Sequence, residues 1–380
     1  MAISLKSISP PLIVTYILGA LLLIFTVAKA SMTSLTYDEA FTFIYYLPQD
    51  FMRIFSFAAP YSANNHILSS LLMKVSQNLF GSSELALRIP SLLAHVVYIC
   101  LTIAFLRKLS PLLLIPGFLL LNTNPYLLEF FALGRGYGLA ICLMMGSLLM
   151  WIKYRETQKV RAYTLCLILA GAAAFSNFSL LLVVASILLL HNYEGLLSGK
   201  ISTRSPIALL SSGLKHNKIN LIFLVILVMV FYEPIRRCIK FKLLYHGGVT
   251  GFWPESIMTL LQFSLYDASY TTWLLNPLSW FLMAVLIISM GLLVNSIRVK
   301  VKENDSTPNW KMDFGLLFVL IILICTVANW SFGNKYVIDR GALFLYPLIV
   351  LILLTMLDEL FGFRGFKKIG FVLIIVFGLG

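Results

Sequence analysis

Apolar runs long enough to cross a bilayer recur through this chain, and they constrain its fold more than any other feature. Of the 380 residues, 59% are hydrophobic and only 12% are charged. A membrane-spanning helix needs about 20 apolar residues, and soluble domains do not repeat such runs. The sequence therefore predicts an all-α polytopic membrane protein with about 10–11 transmembrane helices. The runs lie at 11–30, 88–106, 111–127, 131–151, 162–175, 178–191, 219–232, 273–297, 313–331 and 341–360.

One further run, 369–380, has only 12 residues. That is too short for a complete span, so it is either half-inserted or cut short, and we favour a chain that continues. No linker, repeat or low-complexity segment divides the sequence, so residues 1–380 are expected to form a single domain. Five scattered cysteines without a Cys-x-x-Cys spacing indicate neither a zinc site nor a disulfide framework.

Basic residues outnumber acidic ones, and the formal net charge is +13. In a membrane protein this excess marks the cytosolic loops, so nucleic-acid binding is not expected. With a cytosolic N-terminus, most basic residues fall inside: Lys6, Arg107, Lys108, Lys153, Arg155, Lys159, Arg161, Lys200 to Lys218, Arg298, Lys300, Lys302, Lys311, Arg364, Lys367 and Lys368. The exceptions lie in the longer outer loop 233–272, where the rule is weaker: Arg236, Arg237, Lys240 and Lys242.

This topology places six side chains that can do chemistry on the extracytoplasmic side: Asp38, Glu39, His66, Glu129, Arg135 and Arg340. The acidic pair Asp38-Glu39 comes just after the first span. Ionisable groups at the mouth of an apolar bundle are costly unless they bind or react with something. We therefore predict a membrane-embedded enzyme, with this pair as its candidate catalytic residues.

The first outer loop, 31–87, is too long for a simple turn and too polar for a span. Thr36 and Glu39 have the spacing of a capping box, which predicts a short helix through Phe41–Leu47 that breaks near Pro48. A structural alternative stays open, in which both acids only stabilise the start of this helix and its dipole.

A second helix is expected from Asn65 onward, with His66 at its beginning and Gly81 at its end. Its apolar residues recur at helical spacing, which is typical of a helix lying on the membrane surface. Polar side chains fill the other positions: Ser69, Ser70, Lys74, Ser76 and Gln77. Glu84 and Arg88 follow four residues apart, and we expect an ordinary helical ion pair between them.

Arg135 lies in a long apolar stretch between Gly134 and Gly136. An arginine at such a depth needs an anionic partner, which can be a carboxylate, a phosphate or a lipid head group. The flanking glycines leave room for a large ligand. A structural pair with Glu129 or snorkelling to the head groups is the alternative.

Lys335 and Arg340 bring two more cations to the outer end of the last complete span. Together with Arg135, Arg340 would make a phosphate clamp, because guanidinium groups are permanently charged and bind phosphate with two parallel hydrogen bonds. Alternatively, Arg340 only anchors a helix end.

Taken together, these motifs resemble the dolichyl-phosphate-mannose–protein mannosyltransferase-like family (family 39). Its members are GT-C fold glycosyltransferases, and their bacterial relatives include the aminoarabinose transferase of lipid A. The resemblance covers roughly the first 155 residues, and the segment Arg135-Gly136-Tyr137 matches the family's Arg-x-Tyr. The chain departs from the family where Ile67 and Leu68 replace a proline pair and where two glycines flank the arginine. The other matching segments are Tyr37-Asp38-Glu39, Asn65-His66-Ile67-Leu68 and Leu79–Ser91.

The resemblance implies a GT-C-like bundle with surface helices in its first outer loop. It also implies transfer of a sugar from a polyprenyl-phosphate donor to a lipid, glycan or protein acceptor outside the cytosol, in the bacterial inner membrane. Asp38 would be the general base, with Glu39 beside it. Some relatives bind a divalent metal, so a metal cofactor stays open here. The expected substrate- or phosphate-binding residues are Arg135, Tyr137, Arg340, Lys335, His66 and Glu129.

Two other functions compete with this hypothesis. A transporter of polyisoprenoid lipids or lipid-linked glycans would carry ionisable residues near the bilayer midplane and show internal repeats, and neither feature is evident. An O-antigen-ligase-like enzyme would place its key residues in one large late loop. The loop 233–272 keeps that option open with Glu233, Arg236, Arg237, His246 and Asp267.

Overall fold

The described part of the protein is built from helices alone. The computed structural model describes residues 9–58, 62, 64–203, 205–243, 246–265, 272–303 and 309–361, and these residues form no β-strand. This confirms the all-α prediction. The helices are α1 Pro10–Met32, α2 Tyr37–Phe41, α3 Phe51–Phe55, α4 Ile67–Phe80, α5 Glu84–Leu106, α6 Leu114–Asn122, α7 Pro125–Ala132, α8 Gly136–Thr157, α9 Val160–Ser176, α10 Leu181–Leu197, α11 Pro206–His216, α12 Lys218–Lys240, α13 Met258–Ser264, α14 Thr272–Glu303, α15 Trp310–Phe332 and α16 Leu345–Phe361.

Eight helices in this part of the chain are long and apolar enough to cross a membrane. They are α1, α5, α8, α12, α14 and α15, together with α10 and α16 extended by the short turns that precede them. The bent pair α6–α7 makes a ninth span if it is counted as one, and α9 is apolar but shorter, with 17 residues. Each predicted complete span thus corresponds to a helix or a helix pair, and the chain is a polytopic membrane protein. The last predicted run, 369–380, lies outside the described residues.

The span predicted over 111–127 corresponds to two helices that meet at a bend of 61°. Asn124 caps the second of them by accepting a hydrogen bond from the Leu127 backbone N–H at 2.9 Å. Pro125 occupies the first position of α7, where a missing backbone N–H is harmless. The break therefore starts a new helix, α7, which ends just before Arg135.

Helix α8 forms the centre of the bundle. Most of its residues are buried, and it packs mainly on α9 and α5. Its apolar residues surround the axis on all sides, as expected for a helix that is enclosed by others. By contrast, α1 and α12 bury few residues and turn leucine, isoleucine and valine outward. In a bilayer those exposed side chains contact lipid tails.

Ion pairs join the loops at one end of the bundle. Arg155 at the end of α8 lies 2.9 Å from Asp313 and 3.6 Å from Glu194, and Lys311 lies 2.9 Å from Asp358. These residues belong to the loops and helix ends that the topology assigns to the cytosol, so the predicted alternation of the loops agrees with the structure. The compartment that this end faces stays a prediction.

Helix α4 is oriented differently from the surface helix that its sequence predicts. Its serines are buried against neighbouring helices: Ser69, Ser70 and Ser76 are 5%, 2% and 4% exposed. Leu79 and Phe80, in contrast, face outward. Small polar side chains allow helices in a membrane to pack closely. Ile67 and Met73 are buried together with the serines, while Leu79 and Phe80 at the end of the helix are left for lipid.

Candidate active site

Glu39 anchors the segment that follows the first span. The predicted capping box is present: the Thr36 backbone N–H donates to Glu39 Oε2 at 2.9 Å, and Thr36 Oγ1 accepts from the Glu39 N–H at 3.5 Å. Glu39 Oε1 accepts a second backbone hydrogen bond, 2.6 Å long, from the N–H of Gly134. This bond ties α2 to the turn that carries Arg135.

The ion-pair partner of Glu39 is Arg88, which was expected to pair with Glu84. Arg88 donates from Nε and Nη2 to the two oxygens of Glu39, both at 2.8 Å. It also donates to the backbone carbonyls at the end of α1 and beyond it, those of Ala30, Thr33 and Ser34. The predicted helical pair with Glu84 is therefore wrong, because a buried arginine needs more acceptors than a solvated neighbour supplies.

This network fixes the charge of Glu39. Burial alone would raise the pKa of its carboxyl group, but hydrogen bonds from Arg88 and from the Thr36 and Gly134 amides outweigh that effect, so the pKa is lowered. A carboxylate that is almost completely buried and engaged at both oxygens has no room for a substrate. The contacts of Glu39 thus favour the structural alternative over a catalytic role.

Asp38, one residue earlier, faces a different set of partners. Its Oδ2 lies 2.7 Å from Arg135 Nη1 and 2.5 Å from Arg340 Nη1. Its Oδ1 accepts no hydrogen bond from any described residue, and the side chain is 21% exposed. The structure thus brings both predicted phosphate-binding arginines to one oxygen of the predicted catalytic acid. Glu129, the alternative partner of Arg135, does not contact it.

Arg135 is held on several sides although it is almost completely buried. Its Nη1 donates to Asn64 Oδ1 at 2.6 Å, and its Nη2 lies 3.3 Å from His66 Nε2. The guanidinium group also lies over the ring of Tyr137, 5.7 Å from its centroid. Burial lowers the pKa of Arg135 to about 10, which leaves the group charged at neutral pH.

His66 precedes α4, but its ring does not cap the helix. Nδ1 lies 2.9 Å from the carbonyl oxygen of Ser176. A carbonyl can only accept, so Nδ1 carries the proton and Nε2 is left to accept from Arg135. Burial, and then the charge of Arg340, lowers the pKa of His66 to about 4. A neutral ring packed edge-on against Tyr137 therefore orients Arg135.

Arg340 reaches the site from the 3₁₀ turn Asp339–Ala342 and is 45% exposed. Lys335 lies five residues earlier on the exposed segment that joins α15 to this turn. Glu129 is half-buried on α7 and forms no hydrogen bond or ion pair with a described residue. The structure therefore gathers Asp38, Arg135, Arg340, His66 and Tyr137 into one network, and Glu129 makes no described hydrogen bond or ion pair with it.

The residues around Asp38 do not fit a divalent metal. Among the described residues, no three histidine, cysteine, aspartate or glutamate side chains come together as ligands. The carboxylate of Asp38 already faces two guanidinium groups, which would repel a second cation, and the Nε2 lone pair of His66 points to Arg135. We assign no reaction step to a metal.

Within the network itself there is one positive charge in excess, since two guanidinium groups face the carboxylate of Asp38 and a neutral histidine. Such a site favours an anionic ligand. Reasoning from the sequence missed Arg88 and Asn64 as parts of it. Asn64 stands directly before the Asn-His motif, and its amide bridges the Asp38 carbonyl and Arg135. No family model, curated protein or solved structure matches this chain.

Proposed function

We propose that this protein is a membrane glycosyltransferase that moves a sugar from a polyprenyl-phosphate donor to an acceptor on the extracytoplasmic side of a bacterial inner membrane. The single observation that carries the proposal is the convergence of Arg135 and Arg340 on one oxygen of Asp38. A pair of arginines with a surplus positive charge, held at one end of an apolar bundle, is suited to the phosphate of a lipid.

The reaction that this site supports is displacement at the anomeric carbon of the sugar. The acceptor oxygen forms the new bond, and the electron pair of the broken carbon–oxygen bond goes to the lipid phosphate. Negative charge grows on that phosphate in the transition state, where Arg135 and Arg340 would stabilise it. Before the donor arrives, Asp38 holds the two guanidinium groups in place, so they need not reorganise during the reaction.

Exposed aromatic side chains support a location of the site at the depth of the lipid head groups. Tyr37 at the start of α2 is 82% exposed, Trp273 at the start of α14 is 70% exposed, and Trp330 near the end of α15 is 87% exposed. All three lie at the end of the bundle that carries Asp38. Tyrosine and tryptophan accumulate at the membrane–water interface, which is also where the phosphate of a polyprenyl lipid lies.

Binding of undecaprenyl phosphate to the protein in nanodiscs tests the phosphate site without knowledge of the sugar. Arg135→Gln and Arg340→Gln each remove a charge-assisted contact of about 1.5–3 kcal/mol, so the affinity should fall by about 10- to 100-fold. Asp38→Asn should not weaken binding, because it removes a competing anion. Arg53→Gln is the control, since Arg53 is exposed on the first outer loop and Gln49 is its side-chain partner among the described residues.

Transfer itself is tested with undecaprenyl phosphate linked to tritiated glucose, mannose or galactose, each supplied separately to membranes that contain the native acceptors. Because Asp38 holds Arg135 and Arg340 in place for the transition state, Asp38→Asn should abolish movement of label to the acceptor while expression and membrane insertion stay normal. Retained transfer in this variant would remove Asp38 from the mechanism. If wild type bound undecaprenyl phosphate but left every sugar on its lipid, a transporter would be the better assignment.

A further inference from the structure

A second ionisable pair lies beside the arginine site, and nothing so far assigns it a role. His246 Nε2 is 3.0 Å from Asp339 Oδ2, and Asp339 directly precedes Arg340. We propose that His246, oriented by Asp339, takes the proton from the acceptor hydroxyl during transfer. This inference rests on the proposed glycosyltransferase function and names the proton acceptor of that reaction.

The hydrogen bond between the two residues sets the tautomer of His246. An ionised carboxylate can only accept, so Nε2 carries the proton and Nδ1 keeps its lone pair. Nδ1 makes no hydrogen bond to a described residue, and the imidazole is 63% exposed. The pair is therefore arranged as a general base and its orienting group, and the basic nitrogen remains open to an incoming hydroxyl.

The loop of His246 is firmly attached to the turn of Arg340. Gly248 and Tyr336 exchange two backbone hydrogen bonds of 2.9 and 3.0 Å. Gly247 has a φ of 157°, and a Cβ on it would lie 2.5 Å from the Cβ of Lys335. Only glycine allows such a close approach of two backbones. The backbone that follows His246 is thus tied to the segment that leads to Arg340.

Asp339 itself adopts an unusual conformation. Its φ of 51° lies in the left-handed region, which residues other than glycine rarely occupy and which costs about 1–3 kcal/mol. Thr259 Oγ1 accepts a hydrogen bond from the Asp339 backbone N–H at 3.1 Å and helps to hold this turn. Strain of this kind persists where surrounding contacts require it, and here it directs Asp339 to His246 and the next side chain, Arg340, to Asp38.

The geometry of displacement explains why a base other than Asp38 is needed. The nucleophile must approach the anomeric carbon from the side opposite to the leaving phosphate. Asp38 binds the same two guanidinium groups that would hold this phosphate, so its carboxylate lies on the leaving-group side. His246 is held by Asp339, the neighbour of Arg340, and makes no described contact with either guanidinium group or with Asp38, so its basic nitrogen stays available to the acceptor.

The proposed step is balanced without any further reactant. The acceptor oxygen bonds to the anomeric carbon as the bond from that carbon to the phosphate oxygen breaks, and the electron pair leaves with the phosphate. The acceptor proton moves to Nδ1 of His246, and the imidazolium that forms is stabilised by Asp339. Release of this proton to water then regenerates the base.

Transfer kinetics with the three tritiated undecaprenyl-phosphate sugars test the proposal. His246→Ala should lower kcat by about 10²- to 10⁴-fold, while KM for the donor and affinity for undecaprenyl phosphate stay unchanged. Added imidazole should restore part of the lost rate, which a merely structural role would not allow. Asp339→Asn should also lower kcat. Val249→Ala, on the exposed part of the same loop, is the control and should behave as wild type.

The possible results separate the two proposals. Full activity of His246→Ala would overturn the dyad and leave the glycosyltransferase proposal intact. Loss of undecaprenyl phosphate binding together with transfer, without rescue by imidazole, would assign His246 a structural role and also overturn the dyad. No transfer by wild type with any of the three donors and native acceptors would count against the glycosyltransferase function itself, and the dyad would fall with it.

Discussion

The ion pair between Arg88 and Glu39 gives the sharpest test of what holds the site end of the bundle together. The two side chains are 0% and 1% exposed. Arg88 donates to both oxygens of Glu39 and to the carbonyl oxygens of Ala30, Thr33 and Ser34. Arg88→Met keeps an unbranched apolar side chain but removes all of these donors, and it leaves the carboxylate of Glu39 buried without its cation.

The stranded carboxylate sets the size of the effect. Removal of one partner from a buried ion pair costs about 3–5 kcal/mol, and each carbonyl that water does not reach adds about 1 kcal/mol or more. The free energy of unfolding of Arg88→Met should therefore fall by at least about 3 kcal/mol. In the double variant with Glu39→Gln no buried charge remains, and the amide oxygen can still accept from Gly134. About 2 kcal/mol of the loss should then be recovered.

Unfolding by SDS in mixed micelles, followed by circular dichroism and tryptophan fluorescence, measures these free energies. Lys108→Met is the matched control, because it breaks a partly exposed pair with Glu156 at the opposite end. Its cost should be at most about 1 kcal/mol. If Arg88→Met were as stable as this control, or if the double variant lost the sum of the two single losses, the buried pair would not be what secures α2 to α5.

Three further predictions concern His66, the glycines and the far end of the bundle. The native pKa of His66, about 4 against an ordinary 6.5, means that the unfolded chain binds a proton between these values that the folded protein does not. The free energy of unfolding should therefore rise by about 1.4 kcal/mol per pH unit from pH 4 to 6.5, and this group should add nothing more above pH 6.5. In His66→Gln, the free energy of unfolding measured across this range should not show this rise. Gly136→Ala would place a methyl carbon 2.6 Å from His66 Cβ, so it should weaken undecaprenyl phosphate binding at least about tenfold, whereas Gly213→Ala, with open space around it, should not. Asp313→Ala leaves the mostly buried Arg155 with Glu194 alone, at 3.6 Å, as its described acidic partner. It should lower the free energy of unfolding by about 2–4 kcal/mol without changing the affinity for undecaprenyl phosphate. An equal loss of that affinity would show that the Arg155 end and the Asp38 end of the bundle are coupled.

Local signals explain what the sequence could predict at this site. The capping box of Thr36 and Glu39 and the end of α4 at Gly81 depend on residues within a few positions of each other, and both are present. The partner of Arg88 could not be found in this way. Its true partner, Glu39, lies 49 positions earlier in the chain, while Glu84, four positions earlier, has the spacing expected of an ion pair on a helix surface. Spacing rules describe solvated helix surfaces, and they fail where the side chain is buried.

The orientation of α4 shows a second limit, which comes from the solvent. The amphipathic pattern was interpreted as a helix that lies on the membrane surface with its polar side chains in water. A bilayer removes the driving force for burying Leu79 and Phe80, because lipid tails are as apolar as a protein core. Packing is then decided by size, and Ser69, Ser70 and Ser76 allow the closest approach to neighbouring helices. In such a helix, small polar residues mark the buried side as well as apolar residues such as Ile67 and Met73 do.

The adjacency of Asp38 and Glu39 explains how one helix end serves both the fold and the site. Successive residues of a helix point about 100° apart, so one acid can face Arg88 inside the bundle while the other faces the open end. On the opposite side, Gly134 and Arg135 are adjacent too: the Gly134 N–H donates to Glu39, and Arg135 pairs with Asp38. Each structural contact thus fixes the position of the chemical contact one residue away. A shift of α2 by a single residue would expose a buried charge and separate Asp38 from its arginines, and for this reason the stability of the bundle and the geometry of the site should change together.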